Sequence, residues 1–276
     1  MSGFVLRILR ITVYLVVTLP AMPVQAFFLA IKSPRARRFP LAYHRLMCRI
    51  LGVRLVRRGK ISTHRPTLFV CNHTSYLDIE IMGAAIEGSF VAKAEVARWP
   101  IFGWLAKLQR TVFVERSDRA GAARQRDEIG RRLDDGDNLI LFPEGTSGDG
   151  IHLLPFKTTL FAAAMDERIV VQPVSVIFRL LDGIPLGRFY RPFFAWYGDM
   201  TMAPHLWKML GLGQLTVVMT FHEPVRLKDF GSRKLLSEHC AKVIADGMGA
   251  TLAGRDATPV ETPPATAPAA QLLAAQ

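Results

Sequence analysis

The stretch TLFVCNHTSYLD, residues 67–78, joins a largely apolar run to a short polar segment. The β-rich run at 67–71 predicts a buried strand. The polar residues after it predict a turn, and Thr74 or Ser75 is a candidate N-cap for a helix that starts just beyond. This stretch therefore predicts a strand–turn–helix unit with polar side chains at the carboxyl end of the strand.

Similar apolar runs alternate with helix-like stretches along the rest of the chain. Strands are predicted at 89–92, 111–115, 138–142, 170–178 and 215–221, and helices at 78–86, 94–108, 118–134, 157–165 and 233–248. Residues 39–60 predict a basic amphipathic helix that passes into a first strand. Short apolar strands that alternate with helices indicate an α/β fold, with a mixed, largely parallel sheet flanked by helices.

His73 and Asp78 lie five residues apart in the polar segment. They can meet if His73 lies in the turn and Asp78 in the first turn of the helix. A carboxylate bonded to one ring nitrogen fixes the tautomer and strengthens the other nitrogen as a base, which can take a proton from a hydroxyl. By itself the pair also fits half a metal site or a chance occurrence, although His64, His73 and His152 show no metal-ligand spacing.

A second polar turn, FPEGT at 142–146, follows another predicted strand. Pro143 and Gly145 predict a sharp turn that exposes Glu144. Ligand crevices in open α/β sheets lie outside the carboxyl ends of strands, so this turn and residues 72–78 can share one crevice. Taken alone, these five residues fit an ordinary strand-to-loop turn.

Two further strands carry features that fit ligand binding. QRTVFVER, 109–116, is flanked by Arg110 and Arg116, and guanidinium groups at strand ends suit phosphate or carboxylate. VVQPVSV, 170–176, is interrupted by Pro173, which predicts an edge strand, a bulge or a bend against a ligand. Solvated arginines are the commoner outcome for the first segment.

Four segments resemble, in the same order, the sequence blocks of the lysophospholipid (glycerol-phosphate) acyltransferase family, the lysophosphatidic acid acyltransferases in particular. These segments are NHTSYLD, TVFVER, FPEGT and VQPVS. The resemblance implies a single acyltransferase domain in which His73 is the general base on the free hydroxyl of a lysolipid and Asp78 orients it. The acyl donor would be a thioester of coenzyme A or acyl-carrier protein, with no cofactor and no metal. The substrate-binding residues implied are Arg116, Glu144, Gly145, Thr146 and Lys157.

One departure from the family pattern bears on the acceptor. The family commonly continues FPEGT with arginine, whereas this chain has Ser147. Either Lys157 or Arg116 supplies the missing positive charge, or the acceptor lipid carries a different head group. The second alternative fits the pattern FPEGTS-x-DG followed by LPFK, which resembles a bacterial branch that acylates lyso-ornithine lipid. We expect 1-acyl-sn-glycerol-3-phosphate as acceptor, giving phosphatidic acid, with lyso-ornithine lipid as close alternative and an inactive membrane-binding scaffold third.

Charge and hydropathy set the N-terminal third apart. In this 276-residue chain of net charge +12, no Asp or Glu precedes Asp78, while 13 Lys and Arg fall within residues 1–77. Residues 11–31 form 21 uncharged positions between basic flanks that both prefer the cytoplasmic side of a membrane. Pro20 and Pro23 predict a helix–break–helix wedge in one leaflet, with a single kinked span or a buried core hairpin as alternatives.

These observations divide the chain and place it in the cell. We expect a hydrophobic, basic membrane-anchoring region at 1–60, the acyltransferase domain at 61–250 and a disordered Pro/Ala/Thr-rich tail at 251–276. The expected location is the cytoplasmic face of a bacterial inner membrane, monotopic or single-span, with membrane lipid and a lysolipid as partners. A nucleic-acid binder would explain the pI of about 10.1 but not the uncharged segment.

Overall fold

The computed structural model describes residues 3–114, 128–165 and 168–255. An eight-stranded sheet runs through them, with strands β1 Val53–Arg58, β2 Thr67–Cys71, β3 Ser89–Lys93, β4 Val112–Val114, β5 Leu139–Leu141, β6 Val170–Leu181, β7 Ile184–Pro185 and β8 Leu215–Phe221. Every predicted strand is present. β1 is an edge strand of the sheet, although the sequence placed it in the membrane-anchoring region.

The strand order is β1-β8-β6-β2-β5-β3-β4, and β7 pairs with β6. β2 runs parallel to β5 and β6, β3 runs parallel to β4 and β5, and β1 runs parallel to β8. The antiparallel pairs are β6 with β8 and β6 with β7. The prediction of a mixed, largely parallel sheet is confirmed.

Pro173 lies in β6, a central strand, so the edge position that the sequence offered is wrong. Its carbonyl accepts the N–H of His222, where β8 has just ended. The carbonyl of His222 would need a donor at this point, and the side-chain amide of Gln172 donates to it at 2.8 Å. A proline is tolerated because a side chain replaces the missing N–H.

Helices cover both faces of the sheet, with bounds α1 Gly3–Ala30, α2 Arg35–Ile50, α3 Leu77–Ala85, α4 Phe102–Leu108, α5 at 128–134, α6 Met202–Leu210 and α7 Arg233–Leu252. Side chains of β2 alternate between the faces, as expected for a strand. Phe69 and Cys71 pack in the core formed with α3, whereas Leu68 and Val70 pack in the core formed with α7.

Two helix predictions need correction. Residues 94–108 form a short 3-10 helix, Ala94–Arg98, and the separate helix α4, because Trp99 precedes Pro100 and is held extended. Thr158–Met165 is a 3-10 helix rather than an α-helix. Of the helix predicted at 118–134, residues before 128 lie outside the described part, as does the predicted tail beyond residue 255.

The predicted helix break in the apolar segment is wrong. α1 runs without interruption from Gly3 to Ala30 and contains both Pro20 and Pro23. Each proline removes one backbone donor and disfavours an isolated helix. Here the helix is held along its length by side-chain contacts to the rest of the protein, and these contacts override the local preference.

Three buried polar side chains make those contacts from one face of α1. Arg10 donates to the carbonyls of Leu210 (3.1 Å) and Leu212 (2.6 Å) beside α6. Thr18 bonds to a tyrosine hydroxyl of α2 at 2.8 Å, and Gln25 donates at 2.9 Å to carbonyls in α2 and α4. The spacing 10, 18 and 25 follows the helical repeat, so one face is pinned while the other stays free.

The free face of α1 is apolar. Val16 and Leu19 are 65% and 59% exposed, and Phe4 and Phe27 are exposed to a similar extent. By length and composition α1 could cross a membrane, and 11% of its most apolar window is buried. This exposure argues against a buried core hairpin and is a weak sign of membrane association.

Candidate active site

The polar segment after β2 forms a tight turn at the carboxyl edge of the sheet. Asn72 anchors it, since its side chain both donates to the carbonyl of Val176 (2.9 Å) and accepts the N–H of Val176 (2.8 Å) in β6. α3 then begins at Leu77, and its N-cap residue Tyr76 makes no side-chain cap bond. One residue earlier, the Ser75 hydroxyl accepts the N–H of Leu77 at 3.3 Å, so the capping side chain expected at Thr74 or Ser75 is found at Ser75.

Asp78 completes this cap and meets His73. Its Oδ2 accepts the backbone N–H groups of Thr74 (2.6 Å) and Ser75 (2.9 Å) and lies 2.8 Å from Nδ1 of His73. The Asp78 side chain is fully buried, whereas that of His73 is 19% exposed. The sequence prediction that these two residues meet across the turn agrees with this geometry.

The histidine ring is held on a second side by aromatic packing. Phe142, the first residue of FPEGT, stacks on His73 with ring centroids 4.2 Å apart and an angle of 25°. Phe90 of β3 stacks in turn on Phe142 at 6.2 Å. Among the described residues, Nε2 of His73 has no hydrogen-bond partner. The ring is thus fixed in place with one nitrogen available to a substrate.

Glu144 joins the two turns. Its Oε1 accepts the N–H of His73 at 2.6 Å, and its Oε2 accepts the N–H of Leu154 at 2.7 Å. The sequence predicted that Glu144 is exposed, but the residue is only 3% exposed, so that prediction is wrong. Gly145 follows with φ of +70°, a conformation in which a side chain is strained. Both carboxylate oxygens are used to hold backbone.

Burial raises the pKa of Glu144 from 4.5 to about 7, and the two backbone N–H bonds oppose that rise. The folded protein then binds more protons than the unfolded chain between these values, so the free energy of unfolding falls as pH rises through that window. Glutamine does not ionise, so this pH dependence disappears in Glu144→Gln. The substitution also removes one of the two accepting oxygens, which lowers the free energy of unfolding by ~1–3 kcal/mol at every pH.

We expect the wild-type protein to lose roughly 1.4 kcal/mol per pH unit relative to Glu144→Gln inside the window. Urea unfolding of both proteins at about pH 5 and about pH 8 measures the difference. Parallel pH dependences for the two proteins would show that the Glu144 carboxyl has an ordinary pKa.

Ser147 has a structural role that the sequence did not indicate. It is buried, and its hydroxyl donates to the carbonyl of Trp196. The N–H of Trp196 donates to the carbonyl of Thr74 at 2.9 Å. Ser147 and Thr74 therefore clamp the segment around residue 196 against both turns.

The other predicted substrate-binding residues are placed less tightly. Thr146 and Lys157 are exposed, and the backbone N–H of Lys157 donates to the carbonyl of Pro143 at 2.9 Å. Arg116 lies outside the described residues. Arg110, the other arginine of that segment, pairs with Asp137 at 2.8 Å and so acts as a structural ion pair.

An apolar cavity of about 230 Å³ lies between the first two helices, α4 and the sheet. Tyr76, Leu77 and Phe90 line it, which places one side of the cavity next to the turn that carries His73. Three residues of α6 also line it: Met202, Leu206 and Leu210.

Sequence reasoning missed a buried polar cluster in the cavity wall. Nδ1 of His44 lies 2.6 Å from Glu80, and Nε2 lies 2.5 Å from the side-chain oxygen of Gln109. Burial lowers the pKa of His44, but these two oxygens outweigh it and the pKa rises above its ordinary value. The ring thus ties α2 to α3 and to the C-cap of α4.

Comparisons with known proteins agree with the fold and indicate the family. The family model named Acyltransferase matches residues 52–177. The lyso-ornithine lipid O-acyltransferases of Brucella abortus and Rhizobium meliloti are 38% and 39% identical to this chain, covering 93% and 91% of it and 98% and 88% of their own lengths.

More distant relatives carry another acceptor in their names. The 1-acyl-sn-glycerol-3-phosphate acyltransferase of Neisseria gonorrhoeae is 33% identical over 59% of this chain and 62% of its own length. The crystal structure of the Thermotoga maritima enzyme PlsC matches with a TM-score of 0.62 at 24% identity, covering 88% of this chain and 94% of that one, and supports the fold. This chain belongs to the lysolipid acyltransferase family, and it is an acyltransferase enzyme.

Proposed function

We propose that this enzyme moves a fatty acyl group from a thioester donor to the free hydroxyl of lyso-ornithine lipid. The observation that carries the reaction type is the His73–Asp78 pair, with Nε2 of His73 unpartnered among the described residues at the carboxyl edge of the sheet. The acceptor choice is supported by relatives of that name matched over nine-tenths of the chain.

Ser147 also favours an acceptor without a phosphate. The family arginine that follows FPEGT would stand at this position, where the chain instead has a buried hydroxyl bonded to Trp196. An arginine here would have to displace the contact that holds the neighbouring segment. The order inferred from the sequence, with lysophosphatidate first, is therefore reversed in our proposal. Lysophosphatidate remains the second candidate because of the Neisseria relative.

The chemistry follows from the geometry of the turn. Nε2 of His73 accepts the proton of the lipid hydroxyl as its oxygen attacks the thioester carbonyl carbon. Asp78, bonded to Nδ1, holds the tautomer and stabilises the positive charge that forms on the ring. The carbon–sulfur bond then breaks, an ester is formed, and the proton on His73 passes to the leaving thiolate.

The role proposed for Glu144 differs from the acceptor binding that the sequence predicted. Because both of its oxygens accept backbone N–H groups, we propose that it positions the His73 backbone rather than contacting the acceptor. Gly145, Thr146 and Lys157 stay candidates for acceptor contact, and Thr146 and Lys157 are exposed beside the turn. Arg116 remains a candidate from the sequence alone.

The remaining parts of the proposal concern the two apolar features. We place the acyl chain in the cavity whose wall includes Tyr76, Leu77 and Phe90, next to the catalytic turn. We place α1 in one leaflet at the cytoplasmic face of the membrane, with its exposed apolar face in lipid and its pinned face on the enzyme. The donor is a thioester of coenzyme A or acyl-carrier protein.

A direct comparison of acceptors tests this proposal. Purified enzyme, assayed for thiol release in mixed micelles with lyso-ornithine lipid or lysophosphatidate at equal surface concentration, should give a kcat/KM at least about tenfold higher for lyso-ornithine lipid. Asp78→Asn serves as the inactive control for background thiol release. A preference for lysophosphatidate would contradict the acceptor assignment and leave the reaction type standing.

A further inference from the structure

A second apolar surface lies outside α1 and has no role in the chemistry above. Its exposed side chains, which we call the aromatic rim, come from two separate segments: Trp99, Ile101 and Trp104, and Phe189, Tyr190 and Phe193. Phe189 is 87% exposed, and Tyr190 and Trp104 are both 63% exposed. The surfaces of soluble proteins rarely expose several large apolar side chains together, so the rim indicates an interaction site.

The rim is held rigidly beside the catalytic turn. Phe194 and Ala195 are buried in the protein, next to the exposed Phe193. The backbone N–H of Trp196 donates to the carbonyl of Thr74. The indole ring of Trp196 packs edge-on against that of Trp99, with ring centroids 6.1 Å apart. The two segments of the rim are therefore linked through Trp196, which lies against the turn that carries His73.

The rim also approaches α1. Trp104 lies on α4, whose last carbonyl, that of Leu108, accepts the side chain of Gln25 in α1 at 2.9 Å. On α1 next to Gln25, Val24 and Phe27 are 42% and 59% exposed. Apolar exposure thus extends from the C-terminal half of α1 by way of α4 to the rim.

The side-chain chemistry of the rim fits a bilayer interface. Tryptophan and tyrosine prefer the headgroup level, where one end of the ring is apolar and the other is wet. Basic residues accompany them, with Arg188 and Arg191 beside the Phe189–Tyr190 pair and Lys107 over the ring of Trp104 at 4.9 Å. Lysine is depleted at protein–protein interfaces, so Lys107 against Trp104 favours a lipid surface over a protein partner.

We propose that the aromatic rim is a second membrane contact, distinct from α1, which seats the opening of the active site on an anionic lipid surface. The inference builds on the proposed membrane-associated function. Lipid contact at the rim places His73 at headgroup depth, where the hydroxyl of an embedded lysolipid lies, so that the acceptor need not leave the bilayer completely.

Vesicle binding of the full chain tests the rim without relying on catalysis. Phe189→Ser combined with Tyr190→Ser should weaken partitioning onto phosphatidylcholine–phosphatidylglycerol vesicles about tenfold or more. Leu235→Ser is the matched control, since Leu235 is 51% exposed at the start of α7 and should leave binding unchanged. α7 runs alongside β6 with its last turn near Arg179, so Leu235 lies at the opposite edge of the sheet.

A site-specific probe gives a second reading. The native cysteines, Cys48, Cys71 and Cys240, are all buried, so a polarity-sensitive dye will label Phe189→Cys selectively. Its emission should shift to the blue when vesicles are added, and that of labelled Leu235→Cys should not.

Unchanged vesicle binding of the double variant, or no spectral shift at position 189, would overturn the proposal. Unchanged binding together with a raised KM for an acyl-carrier-protein donor would also overturn it and assign the rim to the donor protein. Both readouts are independent of which acceptor the enzyme prefers, so failure here is distinguishable from failure of the proposed function.

Discussion

Replacing His73 with alanine should lower kcat for acyl transfer by about 10³-fold or more, because it removes the base that accepts the hydroxyl proton. The imidazole is stacked on Phe142 and bonded to Asp78, so its loss leaves no neighbouring nitrogen in the same place. A thioester-release assay with a lysolipid acceptor measures the effect. Vesicle binding should stay at the wild-type level, since it depends on other surfaces.

The chain contains a matched control for this variant. His152 lies 2.8 Å from Asp149, the same separation as in the His73–Asp78 pair, but its side chain is 63% exposed. His152→Ala should therefore keep close to wild-type activity. Comparable activity of His73→Ala and His152→Ala would contradict the role of His73 as base.

Asp78→Asn should lower kcat by about 10³-fold with a small change in KM for the acceptor. The oxygen of asparagine can keep the bonds to the N–H groups of Thr74 and Ser75 and to His73, which all converge on one oxygen of Asp78. The turn is thus preserved, while the negative charge that stabilises protonated His73 is lost. Steady-state kinetics of the purified variant separate the two constants.

Asp149→Asn is the parallel control, because Asp149 also accepts two backbone N–H groups and faces a histidine. It should behave like the wild type. If Asp78→Asn kept most of its kcat, Asp78 would be a turn-forming residue without electrostatic effect. If it lost secondary structure, circular dichroism would reveal the cause, and Asp78→Glu would be the variant to assay.

The sequence predicted the sheet and the catalytic pair because both depend on local pattern. Buried parallel strands are short apolar runs, and His73 and Asp78 belong to one turn whose strand and helix are visible in the sequence. Glu144 was found for the same reason, since it follows a strand. Its partners were not predicted, because the N–H groups of His73 and Leu154 come from segments that only the tertiary fold brings together.

Contacts between residues that are far apart in the sequence explain the structural features that the sequence did not predict. The prolines of α1 predicted a break, yet Arg10 and Gln25 pin the helix to parts of the chain that lie far away in sequence. The cluster of His44, Glu80 and Gln109 joins three helices and has no signature in any one of them. The acceptor expected from the sequence followed the general family pattern, although Ser147, which departs from that pattern, already pointed to the alternative.

The proposed enzyme catalyses one reaction, ester formation coupled to thiol release. The most direct test incubates wild-type enzyme with a labelled acyl thioester and lyso-ornithine lipid and measures both products. We expect equal amounts of free thiol and O-acylated lipid, formed only when both substrates are present and not by His73→Ala. Thiol released at the same rate without acceptor, or thiol release without esterified lipid, would contradict the account.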